Sequence, residues 1–225
     1  MPEPGLIDLD WLYQYRVISS EFPPINFFEE LVSAELMDDL YYIESLTNDR
    51  LRDETGDISL VAQEDRISGP GSSPVMAAFT HVSSNYPSRF SNGDYGVYYA
   101  AENLATAIAE TRFHRARFLS YTAEDPGEID MRSYIGKVIK PMHDIRDGGY
   151  EDLHDAHDWS SSQVFGENMR ATQSWGIVYH SVRNPGHDCI AVLRPRAITR
   201  PIQGPHLCYV WDGKGITHVY EKRLI

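Results

Sequence analysis

The stretch YGVYYAAENLATAIAETRFHRARF, residues 95–118, decides the fold class of this chain. Its first part, Tyr95–Ala100, is a short apolar run rich in aromatic residues, which predicts a buried strand. Its second part, Glu102–Phe118, carries Leu104, Ile108 and several alanines at helical spacing, which predicts an amphipathic helix. A strand that leads into a helix is therefore the unit around which the other predicted elements are arranged.

Further elements are predicted on both sides of this unit. The helices are Ser33–Leu46 and Ser160–Ala171, and the strands are Trp11–Ile18, Gly127–Ile139 (a strand or hairpin), Gly176–Tyr179, Cys189–Leu193, Cys208–Trp211 and Thr217–Tyr220. Thr47–Asp57 and Arg66–Pro74 are predicted loops, and the acidic, histidine-containing run Pro141–Asp158 is predicted to be a surface insertion. Helices early in the chain and strands late in it predict an α+β fold rather than an alternating βαβ array.

Length and charge limit the class of protein. A chain of 225 residues suits a single domain, and 42% hydrophobic with 24% charged residues excludes wholesale disorder. The net charge of −13, from 20 Lys and Arg against 33 Asp and Glu, excludes a surface built for direct nucleic-acid binding. It still allows a small anionic ligand that a few local arginines hold.

Other features bear on the compartment and on the chemistry. No run of about 18 apolar residues predicts a membrane span, and the N-terminus MPEPGLIDLDW lacks the basic and apolar regions of a signal peptide, so we expect a cytoplasmic protein with no membrane contact. Cys189 and Cys208 lie in strand-like runs and are expected to be buried and reduced, with a disulfide or a catalytic thiol as the alternatives.

Sequence motifs for nucleotide cradles, nucleophile elbows and metalloproteases are absent. The loop at Gly69–Gly71 is a poor phosphate cradle, because Pro70 has no amide proton. Acidic and histidine side chains between Asp152 and Asp158 could ligate a metal, but a solvated acidic loop is the simpler interpretation. We therefore expect no metal site.

Three polar residues around the central strand are candidates for a site. Arg89 precedes the strand, Tyr99 lies near its end, and Glu110 lies on the apolar stripe of the helix within ATAIAET. Burying a carboxylate there is costly unless the charge is paired. Either a functional site or a structural Arg–Glu pair explains the pattern.

These residues resemble a known family. The run SRFSNGDYGVYYAAENLATAIAETRFHRARF, residues 88–118, resembles the core of the RES domain, which is named for an Arg, a Glu and a Ser. Here they correspond to Arg89, Glu110 and Ser181, the last within GIVYHSVRNPG. The resemblance extends to YRVISSEFPPINFFE upstream and GPHLCYVWDG downstream, so it covers most of the chain. Phe90 stands where the commoner form has Trp, which keeps an aromatic side chain.

The resemblance implies a fold similar to the ADP-ribosyltransferase toxins. It implies a toxin that consumes NAD⁺ as a substrate, as an NAD⁺ glycohydrolase or phosphorylase, and that an Xre-type helix-turn-helix antitoxin protein neutralises. A mono-ADP-ribosyltransferase that modifies a host protein, and a catalytically inactive interaction protein of the same fold, are the alternatives. It also implies a single domain over residues 1–225, with a core of roughly 75–225, a strand at 11–18 that joins it, and a helical or loop elaboration at 30–73.

The resemblance also suggests roles for individual residues. Glu110 would supply negative charge near the ribose. Tyr99 would stack on nicotinamide, or Tyr98 would, since neighbouring strand residues point to opposite faces. Arg89 would hold a phosphate or the ribose, with Arg16 as a second phosphate ligand. Because the whole chain is acidic, Arg16 and Arg89 are predicted to converge in a small positive pocket.

Ser181 has two alternative roles, and the helix carries two further polar residues close to Glu110. Ser181 would orient the ribose or Glu110, or would make only a local hydrogen bond at a strand end. On the predicted helix, His114 at i+4 shares the face of Glu110, whereas Arg112 at i+2 points away from it.

Overall fold

The structure, a computed structural model, describes residues 2–20 and 56–223 of the chain. The predicted helix Ser33–Leu46 and all but the end of the predicted loop Thr47–Asp57 lie outside the described residues. The strands of the described part are β1 (Gly5–Ile7), β2 (Gln14–Ser19), β3 (Tyr98–Ala101), β4 (Gly127–Gly136), β5 (Met142–Asp144), β6 (Gly176–His180), β7 (Asp188–Val192), β8 (Ile202–Trp211) and β9 (Ile216–Lys222). Its α-helices are α1 (Ser73–Thr80), α2 (Leu104–Leu119) and α3 (Ser160–Ala171).

Within the described residues, the nine strands form one sheet in the order β1-β5-β6-β7-β3-β2-β4-β8-β9. β5 and β6 run parallel, and the other neighbouring strands are antiparallel. β3 lies at the centre, between β7 and β2. A mixed sheet with separate helices confirms the predicted α+β class.

The central strand and helix follow the sequence pattern closely. Asn103 ends the turn after β3, and its side-chain oxygen accepts a hydrogen bond from the Thr106 amide at 2.8 Å. This N-cap satisfies one of the otherwise unpaired amides of the first helical turn, so α2 begins at Leu104. The predicted helix Ser160–Ala171 is confirmed at both of its ends.

Two apolar clusters lie on opposite faces of the sheet. One contains Tyr99 as a partly buried neighbour together with side chains of α2 and α3, and the other contains Tyr98 together with side chains of α1. Because successive strand residues point to opposite faces, the two adjacent tyrosines contribute to different clusters. The side of the sheet that carries α2 and α3 is the side that carries the candidate site.

The predicted surface insertion Pro141–Asp158 is wrong as far as Leu153. Met142–Asp144 is β5, which pairs with β1 and β6, and Met142, Ile145 and Leu153 are completely buried. Composition averaged over the run is acidic, but single apolar residues at intervals are enough to anchor a three-residue strand and a 3₁₀ turn. The segment after Leu153 is largely exposed, as predicted.

Other differences concern the ends of elements. The predicted loop Arg66–Pro74 gives way to α1 at Ser73, a helix that the sequence pattern did not predict. β8 begins at Ile202, well before the predicted start at Cys208. The prediction missed the first half of this strand because that half is mostly exposed and contains Gly204 and Pro205. A partly exposed strand with these residues has no apolar alternation to read.

Both cysteines, Cys189 and Cys208, are buried and unlinked, which confirms the prediction for them. None of the helices in the described part of the chain combines the length and the apolar character needed to cross a membrane.

Candidate active site

A cavity of about 240 Å³ opens beside the centre of the sheet, on the face that carries α2. Residues of β2, β3, α2, β6 and β7 line it, together with the segment 87–89 and Trp159. Arg89, Tyr99 and Glu110 all lie in its wall, so three residues separated by ten and eleven positions meet at one place. The cavity is therefore where we place the candidate active site.

Glu110 is held in a fixed orientation. Its Oε1 accepts a hydrogen bond from the Ser181 hydroxyl at 2.6 Å and another from the Arg183 amide at 3.3 Å. Its Oε2 lies 3.9 Å from His114 Nε2, beyond hydrogen-bond distance. The side chain keeps 18% of its surface exposed, so the carboxylate is oriented by protein groups and is still accessible from the cavity.

Ser181 is tied into a turn at the end of β6. Its hydroxyl donates its one proton to Glu110, and it accepts from the amides of Asn184 at 3.0 Å and Arg183 at 3.3 Å. The proton and both acceptor positions are thus engaged. Ser181 therefore positions the carboxylate.

The two adjacent tyrosines have different surroundings. Tyr99 lines the cavity, and its hydroxyl donates to Ser88 Oγ and accepts from the Phe90 amide, both at 2.9 Å. Burial raises the pKa of Tyr99 to about 12, so it is a neutral phenol near neutral pH. Tyr98 lies on the opposite face of the sheet against Gln14, outside the wall of the cavity. Of the two candidates for a ring platform, the geometry favours Tyr99.

Arg16 and Arg89 are both among the residues that line the cavity, and the convergence of their charges in one positive pocket stays a prediction. Each guanidinium nevertheless has protein partners. Arg16 Nη1 donates to the Tyr99 carbonyl at 3.0 Å, and its guanidinium carbon lies 4.5 Å from the centroid of the Tyr98 ring. Arg89 Nη1 donates to the carbonyls of Leu153 and Asp155, both at 2.9 Å.

On α2, the predicted directions of two side chains are confirmed. His114 lies on the face of Glu110 and lines the cavity. Desolvation lowers its pKa, the Glu110 charge opposes this shift, and the charges of nearby arginines add to it. Arg112 points away, and its Nε donates to the carbonyl of Ile216 on β9 at 2.7 Å.

Sequence reasoning missed several residues of the site. Tyr179 and Trp159 line the cavity, and Arg183 bonds to Glu110. Period-two alternation from Ser181 along β6 was a usable signal for Tyr179, since residues two apart share a face of a strand. Trp159 and Arg183 lie in irregular segments, where the sequence has no period that could indicate a common site.

Cys189 also lines the cavity, but it is a poor nucleophile. Burial and the neighbouring Glu110 charge raise the pKa of its thiol, so the reactive thiolate is scarce near neutral pH. The alternative of a catalytic thiol is therefore not supported by the geometry. No group of three or more His, Cys, Asp or Glu side chains is arranged to hold a metal ion in the portions 2–20 and 56–223.

A loop formed by residues 150–159 carries Trp159 to the cavity, and site residues hold it there. Besides the bonds from Arg89, Arg183 Nη2 donates to the Ala156 carbonyl. His154 Nδ1 lies 3.0 Å from the Tyr150 carbonyl, and its Nε2 accepts from the His180 amide at 3.1 Å. A carbonyl only accepts and an amide only donates, so both bonds require the neutral ring with its proton on Nδ1.

This arrangement predicts a dependence of stability on pH. Burial, with His180 and Arg89 nearby, lowers the pKa of His154 in the folded chain, while the unfolded residue titrates near 6.5. As the pH falls below about 6.5, the unfolded state takes up protons that the folded state resists, so the free energy of unfolding decreases. His114 and His143, whose pKa values burial also lowers, add to the same trend.

Urea denaturation at pH 7.5, 6.5 and 5.5 measures the effect. His154→Gln keeps an acceptor for the His180 amide but cannot be protonated, so it should lose less stability over this range than the wild type. His157 lies exposed in the same loop, and His157→Gln is the matched control that should follow the wild type. An unchanged pH dependence in His154→Gln would show that this residue is not held as described.

Comparison with known proteins adds independent findings. The family model described as RES domain matches residues 63–212 of the chain. The uncharacterized protein y4oC of Sinorhizobium fredii (strain NBRC 101917 / NGR234) is 33% identical over 206 residues, which span 92% of this chain and 86% of that protein. A chain in the crystal structure of the M. tuberculosis MbcT–MbcA toxin–antitoxin complex is similar at 12% identity and a TM-score of 0.40, over 56% of this chain and 72% of that one. The last likeness is too remote to support an argument.

Proposed function

The chain belongs to the RES domain family, and from this premise we propose that it is an NAD⁺-consuming toxin enzyme that cleaves the bond between nicotinamide and ribose. One observation carries the proposal. Glu110, which Ser181 orients, lies in the wall of the same cavity as Arg89 and Tyr99. NAD⁺ is the substrate in this proposal and not a resident cofactor.

The chemistry explains why a fixed carboxylate is useful. As the bond to ribose breaks, positive charge develops on the sugar, in an oxocarbenium-like transition state of the kind known from glycoside cleavage. Glu110 is already oriented by Ser181 and Arg183, so it can stabilise that charge without reorganisation during the reaction. Nicotinamide carries its positive charge on the ring, so it takes the bonding electrons and leaves as a neutral molecule without a general acid.

Tyr99 in the wall of the cavity supports the binding of the cationic nicotinamide ring. Tyr99 has its hydroxyl fixed by Ser88 and by the Phe90 amide, and an aromatic face attracts a cation within about 6 Å. Arg89 is proposed to place the ribose or a phosphate with the donors that Leu153 and Asp155 leave unused. Arg16 is proposed as a second, deeper phosphate ligand.

The acceptor of the ADP-ribosyl group distinguishes the possible reactions. Water would yield ADP-ribose, nicotinamide and a proton, whereas inorganic phosphate would yield nicotinamide and ADP-ribose carrying the phosphate on the former nicotinamide-bearing carbon. A protein acceptor would make the chain a mono-ADP-ribosyltransferase.

Incubation of the purified protein with NAD⁺, with and without phosphate, tests the proposal when products are identified by mass spectrometry. We expect release of nicotinamide by the wild type and much less by Glu110→Ala. If NAD⁺ stays intact with the wild type as well as with Glu110→Ala, the proposed enzymatic activity is refuted and an inactive interaction protein is favoured. A labelled protein band in lysate with labelled NAD⁺ would identify a transferase instead.

We further propose an Xre-type helix-turn-helix antitoxin as the partner, because RES toxins are commonly paired with one that covers the active site. Family membership supports this proposal. Suppression of NAD⁺ loss by that purified antitoxin is the expected result, and full activity in its presence would rule the pairing out.

A further inference from the structure

The cavity is small for a dinucleotide. Pockets that enclose ligands of drug size usually measure about 300–1,000 Å³, whereas this cavity measures about 240 Å³. A ligand with two nucleoside halves and a pyrophosphate must therefore extend through the mouth. Side chains at the mouth then contact the part of the ligand that the cavity does not enclose.

A row of three rings beside the cavity has an arginine at each end. The His114 ring lies 5.4 Å from the Phe113 ring and 5.6 Å from the Trp159 ring, measured between centroids. The guanidinium carbon of Arg183 lies 3.3 Å from the centroid of Phe113, and that of Arg117 lies 5.0 Å from the centroid of Trp159. We call these five residues the arginine rim. His114 and Trp159 also line the cavity, so the rim is continuous with it.

The two arginines of the rim have few partners. Arg117 Nε donates to the Tyr121 hydroxyl at 3.2 Å, and Arg183 Nη2 donates to the Ala156 carbonyl. Among residues 2–20 and 56–223, no carboxylate lies within 4 Å of either guanidinium. Each guanidinium has five N–H donors, so both keep donors for a ligand.

This concentration of positive charge is unusual for the chain as a whole, which carries a net charge of −13. Arg89, Arg117 and Arg183 all act on His114, and their charges help to lower its pKa, after burial as the main cause. Like charges repel one another, and Glu110 supplies one negative charge against these three arginines, so a bound anion would stabilise the group further.

We propose that Arg117 and Arg183 form a subsite for a phosphate-class anion at the mouth of the cavity, where they bind the pyrophosphate of a dinucleotide whose nicotinamide riboside half occupies the cavity. The identity of the dinucleotide rests on the proposed function, while the affinity for a phosphate-class anion does not. The subsite differs from the positions of Arg16 and Arg89, whose guanidinium groups have carbonyl partners deeper in the wall.

Calorimetric binding of ADP-ribose and of adenosine to the whole chain tests the subsite without turnover. The wild type should bind ADP-ribose more tightly, since the two ligands differ in the pyrophosphate and the second ribose. Arg117→Gln and Arg183→Gln should each weaken ADP-ribose binding by about tenfold or more, which is the usual effect of losing a hydrogen bond to a charged group. Adenosine binding should stay the same.

Arg200→Gln is the control for net charge, because Arg200 is exposed and bonds to the Ser68 carbonyl, outside the wall of the cavity. It should bind both ligands as the wild type does. Raising the ionic strength should reduce the wild-type preference for ADP-ribose and leave adenosine unaffected. Wild-type affinity for ADP-ribose in both rim variants would overturn the subsite, even if NAD⁺ is consumed.

Two further measurements show which anion the subsite binds and whether the proposed function fails independently of it. Binding of inorganic pyrophosphate that depends on Arg117 and Arg183, without binding of ADP-ribose or loss of NAD⁺, would support the anion subsite and refute the dinucleotide. Stimulation of NAD⁺ loss by inorganic phosphate that disappears in the rim variants, at unchanged KM for NAD⁺, would assign the subsite to the acceptor phosphate. Failure of the wild type to bind pyrophosphate and ADP-ribose alike would refute the subsite.

Discussion

Glu110→Gln is expected to lower kcat for NAD⁺ cleavage by about 10²–10³-fold, the usual effect of removing one preorganised electrostatic group. Glutamine keeps the size of the side chain and can still accept from Ser181 and from the Arg183 amide. It lacks the negative charge that faces the developing positive charge on the ribose. The loss is therefore confined to the transition state, and KM should change little.

Two variants make this measurement specific. Ser181→Ala removes the 2.6 Å hydrogen bond that orients Glu110 but leaves its charge, so we expect a smaller loss of about 10- to 100-fold. Glu167→Gln removes a charge from an exposed position on α3 and should behave as the wild type. Equal kcat values for the wild type and Glu110→Gln would show that the carboxylate has only a structural role.

Gly166→Ala is expected to destabilise the fold by about 1–3 kcal/mol, the usual cost of overpacking a core. Replacing a glycine within a helix by alanine normally stabilises the protein by about 0.5–1 kcal/mol. At this position on α3, however, a Cβ atom would lie 2.2 Å from the carbonyl oxygen of Phe90 and 2.9 Å from its Cβ. Backbone cannot yield as a flexible side chain can, so the helix or the segment around Phe90 must move.

The same substitution should reduce activity, because Phe90 connects the packing of α3 to the site. Its amide donates to the Tyr99 hydroxyl at 2.9 Å, its carbonyl accepts from the Tyr95 hydroxyl, and Arg89 precedes it in the chain. Urea denaturation and NAD⁺ turnover of the same preparations measure both effects. Gly127→Ala is the control, since the nearest atom to its Cβ would lie 3.8 Å away. A Gly166→Ala variant as stable as the wild type would show that α3 is not packed this closely.

Individual strands and helices were predictable where the residue pattern that produces them lies within one short stretch of the chain. The apolar run Tyr95–Ala100 and the spacing of Leu104 and Ile108 predicted β3 and α2, since strand and helix periods are properties of a few consecutive residues. The predicted helix Ser160–Ala171 was confirmed for the same reason. The strand at Met142–Asp144 was not predicted, because its pairing partners on β1 and β6 lie far away in sequence.

For the candidate site, too, some features follow from short stretches of sequence and others only from the tertiary structure. The sequence by itself determined which residues carry charge, that Arg89, Tyr99 and Glu110 surround one strand–helix unit, and that Tyr98 and Tyr99 face opposite sides of a sheet. Only the tertiary structure decided which of those two sides carries the cavity. It also brought Ser181 to Glu110 across 71 positions, Arg117 to the ring of Trp159 and Arg183 to the ring of Phe113. Turns and loops of irregular conformation position several of these groups, and an irregular segment has no sequence periodicity from which its position in the fold could be predicted.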